Sequence, residues 1–353
     1  MQILANLDCE ATWAARPLPV KIKQRLATMS TLLRALATDD DVVLHTVAAP
    51  VTNAITATPK LPPLQWAVDP RNGTTWPAAA GFAWASCTAA RRLSYDPGDV
   101  PWRNAIVQPA VADAIAKAAN DRRLTLHVRA QAGVSLPLAA CIDSAAALHA
   151  HLQKVAPLLG PGGWVCKAPW TAAGRDRVWG QGTDAGAVQR AETLLRSCGA
   201  LIFEPWLDRL DDFGVLATVD AEHVTQRAPH RLLCNAHGGF AGIDIGGASH
   251  APVVMTTAER DTIVATVEAA GITLRGIGYR GPFTIDGFFY QAGHQRRLAP
   301  LCEINARLSF GWVALACATR LGGTSLRIGQ QAPTMAQVLI QRTPQHPFAV
   351  WVD

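Results

Sequence analysis

The run Leu301-Cys302-Glu303-Ile304-Asn305-Ala306-Arg307 carries the residue types of a metal-assisted phosphate site. Side chains alternate along a strand, so Glu303, Asn305 and Arg307 share one face while Cys302, Ile304 and Ala306 take the apolar one. The preceding run behaves likewise, with Thr284, Asp286 and Phe288 opposite Phe283, Ile285 and Phe289. A hairpin turn centred near Gly293 to Gln295 sets Asp286 beside Glu303. Two such carboxylates repel each other unless a cation sits between them. With the Asn305 oxygen they make a hard donor set suited to Mg²⁺, which fills its shell with water and substrate phosphates. Arg307 would then meet those phosphates or a developing anion. A solvated, charged strand face fits the same alternation.

Two further segments bear on phosphate chemistry. Lys167 lies in the apolar run Trp164-Val165-Cys166-Lys167-Ala168, where burying it without an anion would be expensive. The loop that follows, Trp170-Thr171-Ala172-Ala173-Gly174-Arg175-Asp176-Arg177, can expose backbone N–H groups to a phosphate. It is not a GxxxxGK[ST] loop, no GxGxxG follows the first strand, and a hairpin with two solvated arginines is the alternative. In Leu201-Ile202-Phe203-Glu204-Pro205-Trp206-Leu207, proline offers no N–H to a ladder. The chain must bend there and leave backbone groups near Glu204 and Leu207 unpaired, as a hinge reading an adenine edge requires and as an ordinary strand exit also does.

Taken in order, these motifs resemble the signature of the ATP-grasp superfamily: a strand lysine, a flexible glycine-containing loop, an E-x-x-L hinge, an acidic strand residue and an E-x-N-x-R strand. The resemblance runs from about residue 110 to the C-terminus. It implies an α/β chain, α+β within the grasp, whose two lobes clasp a nucleotide: a grasp domain over 106–353, with a small lobe near 160–205 and a C-terminal lobe near 206–353. Residues 1–105 look like the small α/β domain that commonly precedes the grasp. The implied cofactors are ATP and Mg²⁺. Lys167 would bind the α- and β-phosphates, with the loop carrying Thr171, Gly174 and Arg175 folded over the γ-phosphate. Glu204 and Leu207, with Trp206 between them, would hold adenine. Asp286, Glu303 and Asn305 would hold the metal, and Arg307 and Arg175 would face the transferred phosphoryl group. One more basic phosphate ligand is expected upstream, among Lys117, Arg122, Arg123 and Arg129.

Members of this superfamily mostly activate a carboxylate as an acyl phosphate that an amine then attacks. The expected activity is therefore amide formation on an amino acid or small metabolite, with a carboxylate and an amine as the small-molecule partners. A phosphotransferase on the same scaffold and a non-catalytic nucleotide-binding protein are the alternatives. No nucleophilic Ser or Cys is needed, and Cys166 and Cys302 read as packing residues. Asp8, Glu10 and Arg16 follow the first strand, at the carboxyl end where open α/β sheets bind ligands. They would meet an amine or a carboxylate there, or simply form a solvated loop.

The elements that must position these residues are legible in outline. Residues 2–7, the Leu26, Met29, Leu33, Leu36 periodicity and Val42–Val47 predict a βαβ opening. Prolines and tryptophans break periodicity over 50–104, where the sequon Asn72-Gly73-Thr74 reads as a turn. Thereafter the pattern predicts a helix at 109–119, a strand at Leu124–Val128, a helix opened by Asp143 or Ser144, and a strand at 164–168. A helix ending at Gly199, strands at 200–204, 213–219 and near Leu232, and a helix capped by Thr256 and Glu259 and closing at Gly271 follow, before strands at 282–290 and 298–306.

Composition narrows the class of protein. The chain has 353 residues, 49% of them hydrophobic, and its 32 basic and 27 acidic residues are scattered without a Lys/Arg block, which argues against a nucleic-acid binder. Only 3 Tyr and 9 Phe are present, too few for a base-stacking platform, and the 11 Trp are dispersed. Eight Cys, including Cys87, lie far apart with no CxxC pair, as expected of reduced thiols in the cytoplasm. No run of 18 apolar residues predicts a membrane span, and the Trp-rich 59–104 stretch offers an interface for a homo-oligomer.

Overall fold

Strand β1 (Gln2–Ala5) pairs in parallel with β2 (Val42–His45), the βαβ opening expected from the periodicity. Helices α1 (Cys9–Trp13) and α2 (Val20–Ser30) and a 3₁₀ turn, Thr31–Leu36, make the crossover that parallel strands require. With β3 (Gln65–Val68), β4 (Ala79–Ala83) and β5 (Leu93–Ser94) they form a parallel sheet in the order β3-β2-β1-β4-β5. The computed structural model describes residues 2–45, 48–68, 79–85, 93–94, 111–171, 176–235, 239–247 and 251–353. Cys87, the Asn72-Gly73-Thr74 turn, much of the Pro- and Trp-rich stretch, and Gly174 and Arg175 lie outside them.

Helix α3 (Asp113–Ala119) leads through Asn120 and Asp121 into a second helix. Leu124–Val128, expected as a strand, lies within helix α4 (Arg122–Gln131). The Asp121 side chain accepts a hydrogen bond from the Arg123 N–H, and Thr125, Val128 and Arg129 face inward at helical spacing. A short apolar run does not separate the two periods; the Asp cap and tertiary burial do.

A second sheet, antiparallel, has the order β6-β9-β7-β8, from β6 (Ala140–Ile142), β7 (Trp164–Lys167), β8 (Arg177–Gly180) and β9 (Leu201–Pro205). Helices α5 (Ala145–Val155, capped by Ser144) and α6 (Ala185–Cys198) cover it. Their Leu148, Leu152, Ala187 and Ala191 pack on Trp164, Cys166 and Phe203. Gly199, at φ +76°, ends α6 in the left-handed conformation that a residue without Cβ adopts at little cost.

The third sheet is antiparallel and runs β15-β14-β10-β12-β13-β16-β18-β17, with β11 (Val224–Gln226) added on β10. Its members are β10 (Asp208–Val219), β12 (His230–Cys234), β13 (Phe240–Asp244), β14 (Gly281–Ala292), β15 (Gln295–Asn305), β16 (Ser325–Gly329), β17 (Gln337–Ile340) and β18 (Ala349–Val352). Helix α7 (Thr257–Gly276) packs through Ile263, Val267 and Leu274 on Val215, Phe283 and Ile304. Helix α8 (Phe310–Leu321) packs through Trp312, Val313 and Cys317 into the same core as Leu32, Leu33 and Leu36 of the N-terminal crossover. Strand β13, helix α8 and strands β16 to β18 are absent from the sequence reading.

Helix α7 also continues through Gly271 rather than closing there. A Cβ at Gly271 would stand 2.4 Å from Val224 Cγ2, so this glycine admits the neighbouring strand and is no stop signal. The expected capping box is present: Thr256 Oγ1 accepts from Glu259 N–H at 3.2 Å, and Glu259 Oε2 accepts from Thr256 N–H at 2.7 Å. Thr256→Ala should lower stability by about 1 kcal/mol, read from urea unfolding, with Glu259→Ala giving a similar loss.

Candidate functional site

The carboxylates stand where the hairpin places them. Asp286 on β14 is the register partner of Glu303 on β15, although the turn itself is the two-residue Gly293-His294 and the ladder shifts between Asp286 and Phe288. That shift leaves residues 300–302 of β15 opposite Gly287 alone, a bulge beside the candidate site. Gly287 is required by close approach, since a Cβ would lie 2.4 Å from the Phe213 ring and 2.9 Å from the Ala299 carbonyl oxygen.

Arg129 seals the bulge. Its Nε donates to the Leu301 carbonyl and its Nη2 to the Cys302 carbonyl, both at 2.7 Å, while Nη1 meets Glu204 Oε1 at 2.5 Å. Lys167 Nζ holds the other Glu204 oxygen at 2.5 Å. Burial alone would raise the Glu204 carboxyl; Lys167 and Arg129 overcome that and hold it at about 2. Lys167, Glu204 and strand β15 are thus brought together, with the Glu204 side chain serving as an anchor for Lys167.

Arg122 ties the loop after β7 to the carboxylate pair. Its Nη2 donates to Glu303 Oε1 at 2.6 Å and to the Thr171 carbonyl at 2.9 Å, and its Nη1 donates to the Ala168 carbonyl at 3.0 Å. The other upstream cations sit elsewhere: Arg123 pairs with Asp121, and Lys117 lies 4.4 Å above the Trp170 ring. Arg16 meets the far end of the same loop, its Nη1 lying 2.8 Å from Asp176 Oδ1.

Asn305 and Arg307 are placed differently from expectation. Asn305 donates its amide to Asp286 Oδ2 at 2.9 Å, and its oxygen accepts from Arg307 Nη2 at 3.0 Å. Arg307 is half-buried, with Nε 2.6 Å and Nη2 2.5 Å from Glu10 Oε1, and Nη1 donates to the Leu308 carbonyl. Burial would raise the Glu10 carboxyl, but Arg307 beside it holds it below the usual range. Arg307 therefore faces the N-terminal segment, and Glu10 and Arg16 are both engaged by residues far along the chain.

The donor chemistry fits a divalent cation. Burial, with Glu303 alongside, pushes the Asp286 carboxyl up to about 7, a repulsion that a cation between the two would relieve. Among the described residues no group of three or more His, Cys, Asp or Glu could hold a metal alone. The pair matches an ion that draws the rest of its shell from water and phosphate.

Sequence reasoning missed His230. It stands in one cross-strand row with Gly214, Asp286 and Glu303, and a Cβ at Gly214 would lie 2.5 Å from His230 Nε2 and 3.5 Å from Asp286 Oδ1. Burial pushes the imidazole down to about 4, so it is neutral at pH 7. Only strand register reveals this row; no local motif marks it.

At the hinge, Trp206 N–H donates to the Gly163 carbonyl at 2.9 Å and its ring meets Trp179 edge-on at 5.7 Å. A cavity of about 1190 Å³ opens beside it, lined by Trp206, Leu207, Arg177, Arg209, Arg231 and Arg327 among others. Neither Lys167 nor the carboxylate pair lines it.

No protein-family model matches the chain, and no curated protein matches it. Solved structures do. N5-carboxyaminoimidazole ribonucleotide synthetase in an ADP complex aligns with TM-score 0.54 and 9% identity over 100% of this chain and 92% of that one. The same enzyme from Thermus thermophilus gives 0.53 and 13% over 99% and 92%. The biotin carboxylase domain of Hydrogenobacter thermophilus 2-oxoglutarate carboxylase gives 0.56 and 11% over 99% and 85%. The chain has the ATP-grasp fold. Among the described residues no helix is long and apolar enough to cross a membrane.

Arg129→Met should strip Glu204 of one cation and orphan two bulge carbonyls. Urea unfolding should show a loss of about 3–5 kcal/mol, the cost of breaking a buried pair, whereas exposed Arg196→Met should leave stability within about 0.5 kcal/mol.

Proposed function

We propose that the protein is an ATP- and Mg²⁺-dependent ligase that activates a carboxylate as an acyl phosphate and joins it to an amine. The observation that carries this reading is the cross-strand pair Asp286/Glu303, set beside the Lys167–Glu204 anchor within an ATP-grasp fold. Neighbours with this fold include a synthetase bound to ADP and a carboxylase domain bound to MgADP and bicarbonate, which supports nucleotide, magnesium and an oxyacid as ligands.

In this reading adenine occupies the cavity beside Trp206 and Leu207, at the hinge that Pro205 opens. Lys167 reaches the phosphates, and Asp286 and Glu303 hold Mg²⁺, which neutralises charge on the transferred phosphoryl group when bound. Thr171, whose carbonyl accepts from Arg122, begins the segment assigned to the γ-phosphate. Asn305 acts as a spacer that keeps Arg307 a fixed distance from Asp286. Glu10, held at Arg307, places the N-terminal segment (1–105) against the grasp (106–353), so the acid and amine would meet at that junction.

Cytoplasmic residence is part of the proposal. Seven described cysteines are free, and burial pushes Cys166 and Cys317 up to about 12, which leaves unreactive thiols. A homo-oligomer is also proposed, in line with the dimeric carboxylase neighbour.

The test is ADP release against pooled carboxylic acids and amines, with mass spectrometry of the product. Glu303→Gln should abolish Mg²⁺-dependent turnover while the circular-dichroism spectrum stays unchanged; wild-type turnover would remove the metal assignment. Lys167→Ala should weaken ATP binding at least about tenfold by calorimetry, as loss of a charge-assisted phosphate contact requires.

A further inference from the structure

The N-terminal segment holds a second cleft, of about 630 Å³, between the Thr31–Leu36 turn and the connection from Thr52 to Trp66. It has no lining residue in common with the cavity at the hinge. Arg34 is its sole charged wall residue. That side chain is only 4% exposed, and its one hydrogen bond among the described residues runs from Nη2 to the Thr56 carbonyl at 2.8 Å. No described carboxylate pairs with it, and the Cys317 thiol of the adjoining core is buried and uncharged.

A guanidinium has five N–H donors, and a buried charge lacking a counter-ion is costly. Arg129, the other buried arginine among the described residues, shows the usual remedy in Glu204, and half-buried Arg307 likewise has Glu10. Arg34 has none among the described residues, yet it faces an open cleft. The remaining walls are mostly apolar, with Leu61 buried, Ile55 and Leu64 half-buried, and Pro63 and Trp66 exposed at the rim. A single cation with apolar surroundings matches a monoanion that carries an apolar body. Phosphate, with more charge and no carbon surface, would leave both its second charge and the walls unsatisfied.

We propose that this cleft binds a small organic carboxylate with an aromatic or branched body, its carboxylate paired with Arg34 and its body lying on Leu64 and Trp66. The site is separate from the proposed ligase centre, because none of Lys167, Asp286 and Glu303 contributes to it. Its ligand is therefore a second small acid and not the acid that is activated.

Phenylacetate is the probe, titrated calorimetrically into the full-length protein, with acetate and inorganic phosphate as comparisons. The expected result is one-site binding of phenylacetate, at least about tenfold tighter than acetate or phosphate. Arg34→Met should weaken it at least about tenfold, and Trp66→Ala should weaken it while preserving the fold. Leu64→Glu puts a carboxylate into the wall of the same cleft and should abolish binding, which keeps the test decisive if Arg34→Met fails to fold. Phenylacetate that does not bind, or that binds Leu64→Glu and Trp66→Ala as it binds the wild type, overturns the proposal.

Discussion

A carboxylate sealed between two cations joins the two antiparallel sheets of this protein. Glu204 ends a strand of the small sheet, Lys167 ends its neighbour, and Arg129 comes from a helix that packs on the large sheet. The same guanidinium takes the carbonyls released by the β15 bulge, so the bulge, the hinge and the strand lysine share one hydrogen-bonded knot. In a low-dielectric setting such a network is stable only when every member is satisfied. That condition fixes where Lys167 points before any ligand arrives.

From this knot the polar groups continue as a row of charges that alternate except where Glu303 and Asp286 meet. Arg122 bridges the loop carbonyls to Glu303; Glu303 stands beside Asp286; Asn305 links Asp286 to Arg307; and Arg307 ends on Glu10. Every charge in this row but Asp286 has an opposite partner in a salt bridge, and Asp286 is the one pushed up to about 7. Groups perturbed in this way concentrate at functional sites, which is why the proposed metal site is placed here.

Close backbone approach shapes the same region. Gly214 leaves room for His230 and Asp286 to lean toward each other, and Gly287 leaves room for the Phe213 ring beneath the bulge. A side chain at Gly214 would push His230 and Asp286 apart and one at Gly287 would displace the Phe213 ring, so two glycines inside long strands, ordinarily a weakness, keep the carboxylate row and its bulge close-packed.

The sequence by itself determined what alternates and what turns. Strand period placed Glu303 and Asn305 on one face, a short turn paired Glu303 with Asp286, and caps at Asp143 or Ser144 and at Thr256 marked helix starts, because all of these are local relations within a few residues. Leu124–Val128 suits a strand as well as a helix, because the pair Leu124 and Val128 serves either period until the Asp121 cap is considered. Only the tertiary structure decided which charges meet. Arg307 and Glu10 are 297 positions apart and Arg129 and Glu204 are 75 apart, and nothing in their local spacing distinguishes these partners from other cations and acids nearby. The reason is physical: a buried charge selects its counter-ion by proximity in the folded core, and proximity across sheets is set by packing and register, not by neighbours along the chain.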